Sequence, residues 1–300
     1  MNPVSSGISR RETFRMIGAA AASAAASAAL LPAAASAQTA DAPQLKRRVR
    51  QSAVRGLLGK GGSAEDYCRT ALSLGLVGVD FTGPGDWPVL KDHGLEATLV
   101  SGAGGIKDGL NNTSKHADFL KLFQTNISAA AKFGWKTVIT MAGDRAGISD
   151  ADGMAACVPV LKEAVKIAAD NGVTICMELL NSKIDHAGYM CDHTAWGVEL
   201  CKRIDSPHFK LLYDIYHMQI MEGDVIRTIT DNIDHIGHFH TAGVPGRKDL
   251  DDEQELFYPA VMRAIAKLVE AGKYTGVVAH EFSTKHGIES LRKAVQLCDV

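Results

Sequence analysis

The sequence lacks several features that would assign it at once to a familiar class of protein. Its six cysteines are scattered, with no CxxC pair and no zinc-finger spacing, so a cysteine zinc site is not predicted. It has no excess of basic residues, because the formal net charge is −2, and nucleic acid is therefore not expected as a partner. With 46% hydrophobic residues and both charge signs present, the composition is that of a folded globular protein and excludes a disordered or fibrous chain.

The first 37 residues differ in composition from the rest of the chain and have the pattern of an export signal. A polar start with three arginines precedes an Ala-rich stretch over 17–31 that is too weakly hydrophobic for a permanent membrane span. The segment SRRETF at 9–14 resembles a twin-arginine signal. We therefore expect a signal peptide over 1–37, a linker over 38–50 and a periplasmic or otherwise exported protein. An ordinary secretion signal or an uncleaved tether is the alternative.

After position 50, short β-rich runs alternate with helical patterns up to the C-terminus. Eight runs are predicted to be strands: 52–58, 77–82, 97–101, 137–142, 173–179, 210–214, 235–241 and 276–282. Apolar residues that recur every three or four positions predict helices between them: 64–74, 116–133, 154–169, 194–204, 225–232, 258–271 and 287–297. This alternation favours an α/β fold with a single closed (β/α)8 barrel over 51–300. A doubly wound open sheet is the alternative, but the glycines at 59–62 match a phosphate-binding loop poorly.

Four successive strands of the second half end in an ionisable residue. These residues are Glu178, Asp214, His240 and Glu281. Active sites of such barrels are built at the carboxyl ends of the strands, so the four side chains are expected to converge. Converging buried carboxylates repel one another unless a cation is bound between them, which favours a divalent metal site. Three oxygen ligands and one nitrogen ligand suit Mn²⁺ or Mg²⁺ best, with Co²⁺ or Zn²⁺ also acceptable. The alternative is that each residue caps a helix or pairs with an arginine.

Several segments resemble the hydroxypyruvate isomerase family of xylose-isomerase-like barrels. The matching segments are LYDIYHMQIMEGD at 212–224, IGH at 236–238, VPGR at 244–247, MAG at 141–143, Glu178 with Asn181, GY at 188–189 and YPAVM at 258–262. The resemblance extends from Arg50 to Thr284, which is most of the chain after the signal. Ketose 3-epimerases belong to the same superfamily, and a histidine at position 240 is similar to the residue that the epimerases carry.

The resemblance implies a role for each candidate residue. The implied metal ligands are Glu178, Asp214, His240 and Glu281, and the two glutamates also act as acid and base. The residues implied to contact substrate are His217, Arg247, Asn181 and His238. From the residues alone, a loop-packing histidine and a surface arginine are equally expected at positions 217 and 247. His238 points the same way as His240 but one layer deeper, where a hydrogen-bonded core histidine is equally expected.

The predicted reaction is proton transfer at a carbon atom. A metal that polarises a carbonyl and the neighbouring hydroxyl acidifies the C–H bond, so that a carboxylate can remove the proton and give a cis-enediolate. Return of the proton to the adjacent carbon is an aldose–ketose isomerisation. Delivery to the opposite face of the same carbon by the second glutamate is an epimerisation. We therefore predict a metal-dependent isomerase of a small hydroxy-carbonyl compound, which acts alone or as a homodimer. A ketose epimerase, a keto-sugar lyase and a non-catalytic carbohydrate-binding barrel are the alternatives.

Overall fold

Eight short strands run parallel and close on one another in the order of the sequence. The computed structural model describes residues 44–59 and 61–300. The strands are β1 (Gln51–Val54), β2 (Gly78–Asp80), β3 (Glu96–Ala103), β4 (Thr137–Thr140), β5 (Thr174–Leu179), β6 (Phe209–Asp214), β7 (Ile236–Thr241) and β8 (Val278–His280). β1 pairs with both β2 and β8, which closes the sheet. The predicted (β/α)8 barrel is thus confirmed, and the open sheet is wrong because an open sheet would leave two edge strands unpaired.

Helices follow the strands around the outside of the barrel. Within the described part of the chain they are α1 (Ala64–Ser73), α2 (Trp87–Asp92), α3 (His116–Phe133), α4 (Asp150–Asn171), α5 (Thr194–Ile204), α6 (Ile215–Met221), α7 (Val225–Asn232), α8 (Tyr258–Glu270) and α9 (Ile288–Cys298). Gly134 and Gly172 follow α3 and α4 with left-handed φ angles of 85° and 62°, which any residue with a Cβ atom adopts less readily. Helix α3 ends at the predicted position, whereas α4 continues two residues beyond its predicted end at 169.

The structure differs from the sequence prediction in three elements. The first predicted strand is wrong in its second half, because residues Arg55–Leu58 form a 3₁₀ turn that packs two leucines into the core. Helix α2 was not predicted, since it has six residues and begins at Trp87-Pro88, too short a run to show helical periodicity. Helix α6 was also not predicted, because it begins directly after β6 without an intervening loop signal.

The interior of the barrel below the strand ends holds both apolar side chains and hydrogen-bonded polar ones. Leu99, Cys176 and Leu212 form a small buried cluster, separate from the large core between strands and helices. Cys176 precedes Glu178 by two positions, so both side chains lie on the inner face of β5. All six cysteines are free and buried. The interior is therefore filled under the strand ends, and the polar residues there form the floor of an open mouth.

Two predictions concern the N-terminal region. The predicted signal peptide over 1–37 and the start of the linker lie outside the described residues. Among the residues that are described, no helix combines the length and the apolar character that a membrane crossing requires.

Candidate active site

Four strand-end side chains meet at the carboxyl end of the barrel. They are Glu178 on β5, Asp214 at the end of β6, His240 on β7 and Glu281 immediately after β8. Each offers one ligand atom, and these atoms all lie within 4.8 Å of one another. The register explains the convergence, because Asp214 pairs with His240 across β6 and β7 and the neighbouring strands end at the same level. The structure thus brings together the four residues that the sequence analysis singled out.

The donor atoms of this four-residue cluster suit a divalent metal ion. Glu178 Oε1, His240 Nδ1 and Glu281 Oε2 are buried and make no well-aligned hydrogen bond, although they lie at ion-pair distance from one another. Buried polar atoms normally make hydrogen bonds of good geometry, so several that do not, converging on one point, fit a site for a bound cation. Carboxylate oxygens and one imidazole nitrogen are donors that Mn²⁺ and Mg²⁺ accept. The residues present therefore fit a divalent cation.

The protein's own charges partly balance the carboxylates. His240 Nδ1 lies 2.7 Å from Glu281 Oε2 and 3.5 Å from Glu178 Oε1. Arg247 Nη2 lies 2.8 Å from Glu281 Oε2 and 3.4 Å from Asp214 Oδ2. Burial raises the pKa of both Glu178 and Asp214. Burial alone would also raise the pKa of Glu281, but His240 and Arg247 outweigh it and lower that pKa to about 2. The two glutamates consequently lie in different electrostatic environments, as acid and base groups commonly do.

Asp80, which the sequence analysis did not name, orients the histidine ligand. Its Oδ2 atom lies 3.0 Å from His240 Nε2 and 2.7 Å from His238 Nε2. Thr98 and Ser52 donate hydrogen bonds to Oδ1. A carboxylate on one ring nitrogen fixes the orientation of a metal-binding histidine, so Asp80 directs His240 Nδ1 toward the cluster. The signal was available: Asp80 ends the apolar run of β2, but the predicted strand extended to position 82 and placed a threonine there.

His238 lies below the mouth, among buried groups. It is 1% exposed, and its Nε2 atom is bonded to Asp80. Asp80, His238 and His240 also lie close enough to hold a metal ion. Their hydrogen bonds, however, already use Oδ2 and the two Nε2 atoms that a metal would need. His238 therefore lies among the buried groups that support His240, although the family resemblance implied that it contacts substrate.

His217 and Arg247 form one wall of the mouth next to Asp214. Asp214 Oδ1 accepts hydrogen bonds from the backbone N–H groups of Tyr216 and His217, which begins α6 directly at the strand end. Its Oδ2 atom is left facing Arg247 and lies 3.6 Å from His217 Nε2, an atom that has no hydrogen-bond partner. Burial, together with Arg247, lowers the pKa of His217 to about 2, so the ring is neutral. Both residues present N–H groups to the mouth.

The opposite wall includes Phe81, which follows β2. Its side chain is 39% exposed, and the ring meets the ring of His240 edge-on with a centroid distance of 5.8 Å. Phe81 has a φ of 61°, a left-handed conformation that costs a residue with a Cβ atom roughly 1–2 kcal/mol. Backbone strain of this kind is concentrated at functional sites. A partly exposed aromatic ring is thus held against the candidate metal ligand.

Comparison with known families agrees with this architecture. The family described as the xylose isomerase-like TIM barrel matches residues 88–298. The chain belongs to this family. The resemblance to the hydroxypyruvate isomerases of this superfamily, seen in the sequence, is thereby confirmed.

Two curated relatives are isomerases. A 2-oxo-tetronate isomerase from Cupriavidus necator is 30% identical over 205 residues, which is 68% of this chain and 71% of the relative. The hydroxypyruvate isomerase of Escherichia coli is 28% identical over 232 residues, 73% of this chain and 88% of the relative. These homologues confirm the prediction that the chain is an enzyme of the isomerase class.

Solved structures share the fold over most of the chain. A family 2 AP endonuclease from Brucella melitensis superposes with a TM-score of 0.72 and 26% identity, covering 81% of this chain and 96% of that one. The 3-keto-D-glucoside 4-epimerase of Escherichia coli superposes with a TM-score of 0.70 and 20% identity, covering 83% and 98%. At these identities the shared barrel says little about the reaction, which depends on the side chains at the mouth.

Proposed function

We propose that this protein is a divalent-metal-dependent isomerase that moves a proton between adjacent carbons of a small hydroxy-2-oxo acid. The observation that carries the proposal is the convergence of Glu178, Asp214, His240 and Glu281, whose facing atoms include three that make no well-aligned hydrogen bond. The substrate class follows the names of the two isomerase relatives, both of which act on compounds with a carbonyl next to a carboxylate. Hydroxypyruvate, which would be converted to tartronate semialdehyde, is the simplest member of the class.

The four cluster residues would hold the ion, and its charge would acidify the C–H bond next to a bound carbonyl and stabilise the enediolate. One glutamate removes the proton from the hydroxyl-bearing carbon. A glutamate then returns a proton to the former carbonyl carbon, while a proton passes between the two substrate oxygens. His217 Nε2 and the Arg247 guanidinium lie beside Asp214 and would donate N–H hydrogen bonds to substrate oxygens bound there. The chain therefore contributes both the proton carriers and the groups that orient the substrate.

Deuterium exchange tests this proposal. Mg²⁺- or Mn²⁺-loaded protein is incubated in D₂O with hydroxypyruvate, tartronate semialdehyde, 2-oxo-tetronate and several ketoses, and label at carbon is followed by NMR. We expect metal-dependent incorporation that falls about 10²–10⁴-fold in Glu178→Gln and Glu281→Gln, the range typical of a lost acid/base group. Glu163→Gln, at an exposed position on α4, is the matched control. Metal binding without exchange on any compound would leave a carbohydrate-binding barrel as the better assignment.

A sugar epimerase is the second candidate. Glu178 on β5 and Glu281 just after β8 both lie within 3.5 Å of His240, so two carboxylates border the same space. Such a pair can remove a proton from one face of a carbon and deliver one to the other face. In the same assay, label retained at the original carbon of a ketose with inversion would favour the epimerase, and loss of water from a keto-sugar would favour a lyase.

We further propose that the protein is exported through a twin-arginine-type signal over 1–37. The paired residues Arg10 and Arg11, followed by the weakly hydrophobic Ala-rich stretch, support this proposal. Replacement of both arginines by lysine is expected to retain the full-length precursor in the cytoplasm, as seen by fractionation and mass spectrometry. Unchanged export of this variant would instead favour the ordinary secretion signal.

A further inference from the structure

The side chain of Asn181 is fully occupied by the protein. Its Oδ1 atom accepts hydrogen bonds from the backbone N–H groups of Ile184 and Asp185, at 3.1 and 2.9 Å. This fixes which end of the amide is which, so the NH₂ group faces the other way. Nδ2 lies 2.7 Å from Asp185 Oδ2 and 2.7 Å from His217 Nδ1. An NH₂ group has two protons and no acceptor, so both protons are used. Asn181 therefore has no free hydrogen-bonding capacity for a substrate.

This geometry determines the proton position on His217. Because Asn181 Nδ2 can only donate, His217 Nδ1 must be the acceptor and carries no proton. The proton of the neutral ring then lies on Nε2. That atom is buried without a partner and is 3.6 Å from Asp214 Oδ2, at the mouth of the barrel. His217 consequently offers one N–H donor to the candidate active site.

Asp185 fixes the orientation of the amide from outside the site. Its Oδ2 atom accepts from Asn181 Nδ2 and from the Tyr216 hydroxyl, at 2.7 and 2.8 Å. Tyr216 precedes His217 on α6, so this one carboxylate ties the β5–α5 loop to the helix that carries the histidine. We propose that Asp185, acting through Asn181, holds His217 as the Nε2–H tautomer, which donates a hydrogen bond to a substrate oxygen beside Asp214. The donation to substrate rests on the proposed isomerase function, but the tautomer does not.

The tautomer can be measured without any substrate. Long-range ¹H–¹⁵N spectra of ¹⁵N-labelled, Mg²⁺-loaded protein distinguish the protonated from the unprotonated ring nitrogen, and His217→Gln identifies the signals. The wild-type ring is expected to carry its proton on Nε2. The double variant Asn181→Asp/Asp185→Asn exchanges the amide and the carboxylate between the two positions. A carboxylate oxygen of residue 181, which can only accept, then faces His217 Nδ1, so the ring proton should move to Nδ1. A wild-type ring with its proton on Nδ1 would overturn the proposal.

Kinetics then test whether the donor is used. The double variant should lose about 10- to 100-fold in kcat/KM, as is typical when a group that orients a site residue is altered. Its affinity for Mg²⁺ should stay within twofold, because the four cluster residues are unchanged, whereas a general structural defect would weaken both. Asp170→Asn, at an exposed position on α4, is the matched control.

The outcomes separate the two proposals. If the tautomer moves in the double variant and kcat/KM does not change, Asp185 and Asn181 set the tautomer but the donation from His217 Nε2 to substrate is wrong. If no compound is turned over by the wild-type protein, the isomerase assignment fails, while the NMR result alone decides the tautomer.

Discussion

Polar side chains at the strand ends have different surroundings in the two halves of the barrel, β1–β4 and β5–β8. In the first half, Thr140 at the end of β4 donates to the carbonyl of Ala103, and Arg55 after β1 donates to two loop carbonyls. In the second half, charged and imidazole groups converge on one another, and several of their atoms make no well-aligned hydrogen bond. Across the described residues, the buried carboxylate, imidazole and guanidinium atoms that lack a hydrogen bond all belong to this half: Glu178, His217, His240, Arg247 and Glu281.

This difference distinguishes polar groups that stabilise the barrel from polar groups that are available to bind a ligand. A polar group that bonds to the backbone of a neighbouring loop stabilises the barrel, and the protons used in those bonds are not available to a ligand. Buried charges that are incompletely hydrogen-bonded destabilise a fold unless something binds them, so their accumulation at the ends of β5–β8 marks the site. The first half contributes Asp80, which orients His240, and Phe81, which lies against it. It thus shapes the site without lending an atom to the four-residue cluster.

The largest expected effect comes from removing a ligand of the second half. At free Mn²⁺ 100-fold above its Kd, binding stabilises a folded protein by about 2.7 kcal/mol. For a barrel of this size that corresponds to a rise in Tm of about 5–10 °C. We expect this rise in Tm in the wild-type protein and no rise in His240→Ala, measured as the Tm with Mn²⁺ minus the Tm with chelator. His193→Ala, at a half-exposed position, should show the same rise in Tm as the wild type. A full metal shift in His240→Ala would mean that the cluster is not the metal site.

A smaller effect is expected from the support that the first half provides. Asp80→Asn keeps the size of the side chain but removes the charge beside His240 and His238. Loss of such an orienting carboxylate typically weakens metal affinity about 10- to 100-fold. Calorimetric titration with Mn²⁺ measures this loss of affinity. Ser52→Ala, which removes only the 3.3 Å contact to the other oxygen of Asp80, should weaken the affinity for Mn²⁺ less. Equal affinities in wild type and Asp80→Asn would show that the first half has no part in metal binding.

The smallest effect concerns the strained residue of the first half. Phe81→Gly and Phe81→Ala both remove the ring, but only glycine adopts the φ of 61° without strain. The free energy of unfolding of Phe81→Gly should therefore exceed that of Phe81→Ala by about 1 kcal/mol. Denaturant titration measures the difference, and kcat/KM should fall equally in both variants if the ring contacts substrate. Wild-type kcat/KM in both would leave the ring with no role in the reaction.

The sequence predicted the second half of the site better than the first. Each of β5 to β8 ends an apolar run with an ionisable residue, and parallel strands of a closed barrel bring those residues to one edge. Asp80 follows the same rule, but β2 has only three residues and the apolar run around it could be extended by two positions. Helix α6 was missed because Asp214 both ends β6 and caps the helix, so no loop residues separate the two elements.

The sequence by itself determined the barrel and which strands end in ligand-type side chains, because both depend on local periodicity and on the position of charges within apolar runs. Only the tertiary structure decided how those side chains are oriented. Asp80 and His240 are 160 positions apart, and Asn181 and His217 are 36 apart. Hydrogen bonds between such distant residues depend on the closure of the barrel and on the register between its strands. They decide which nitrogen of His240 faces the four-residue cluster and which nitrogen of His217 carries the proton.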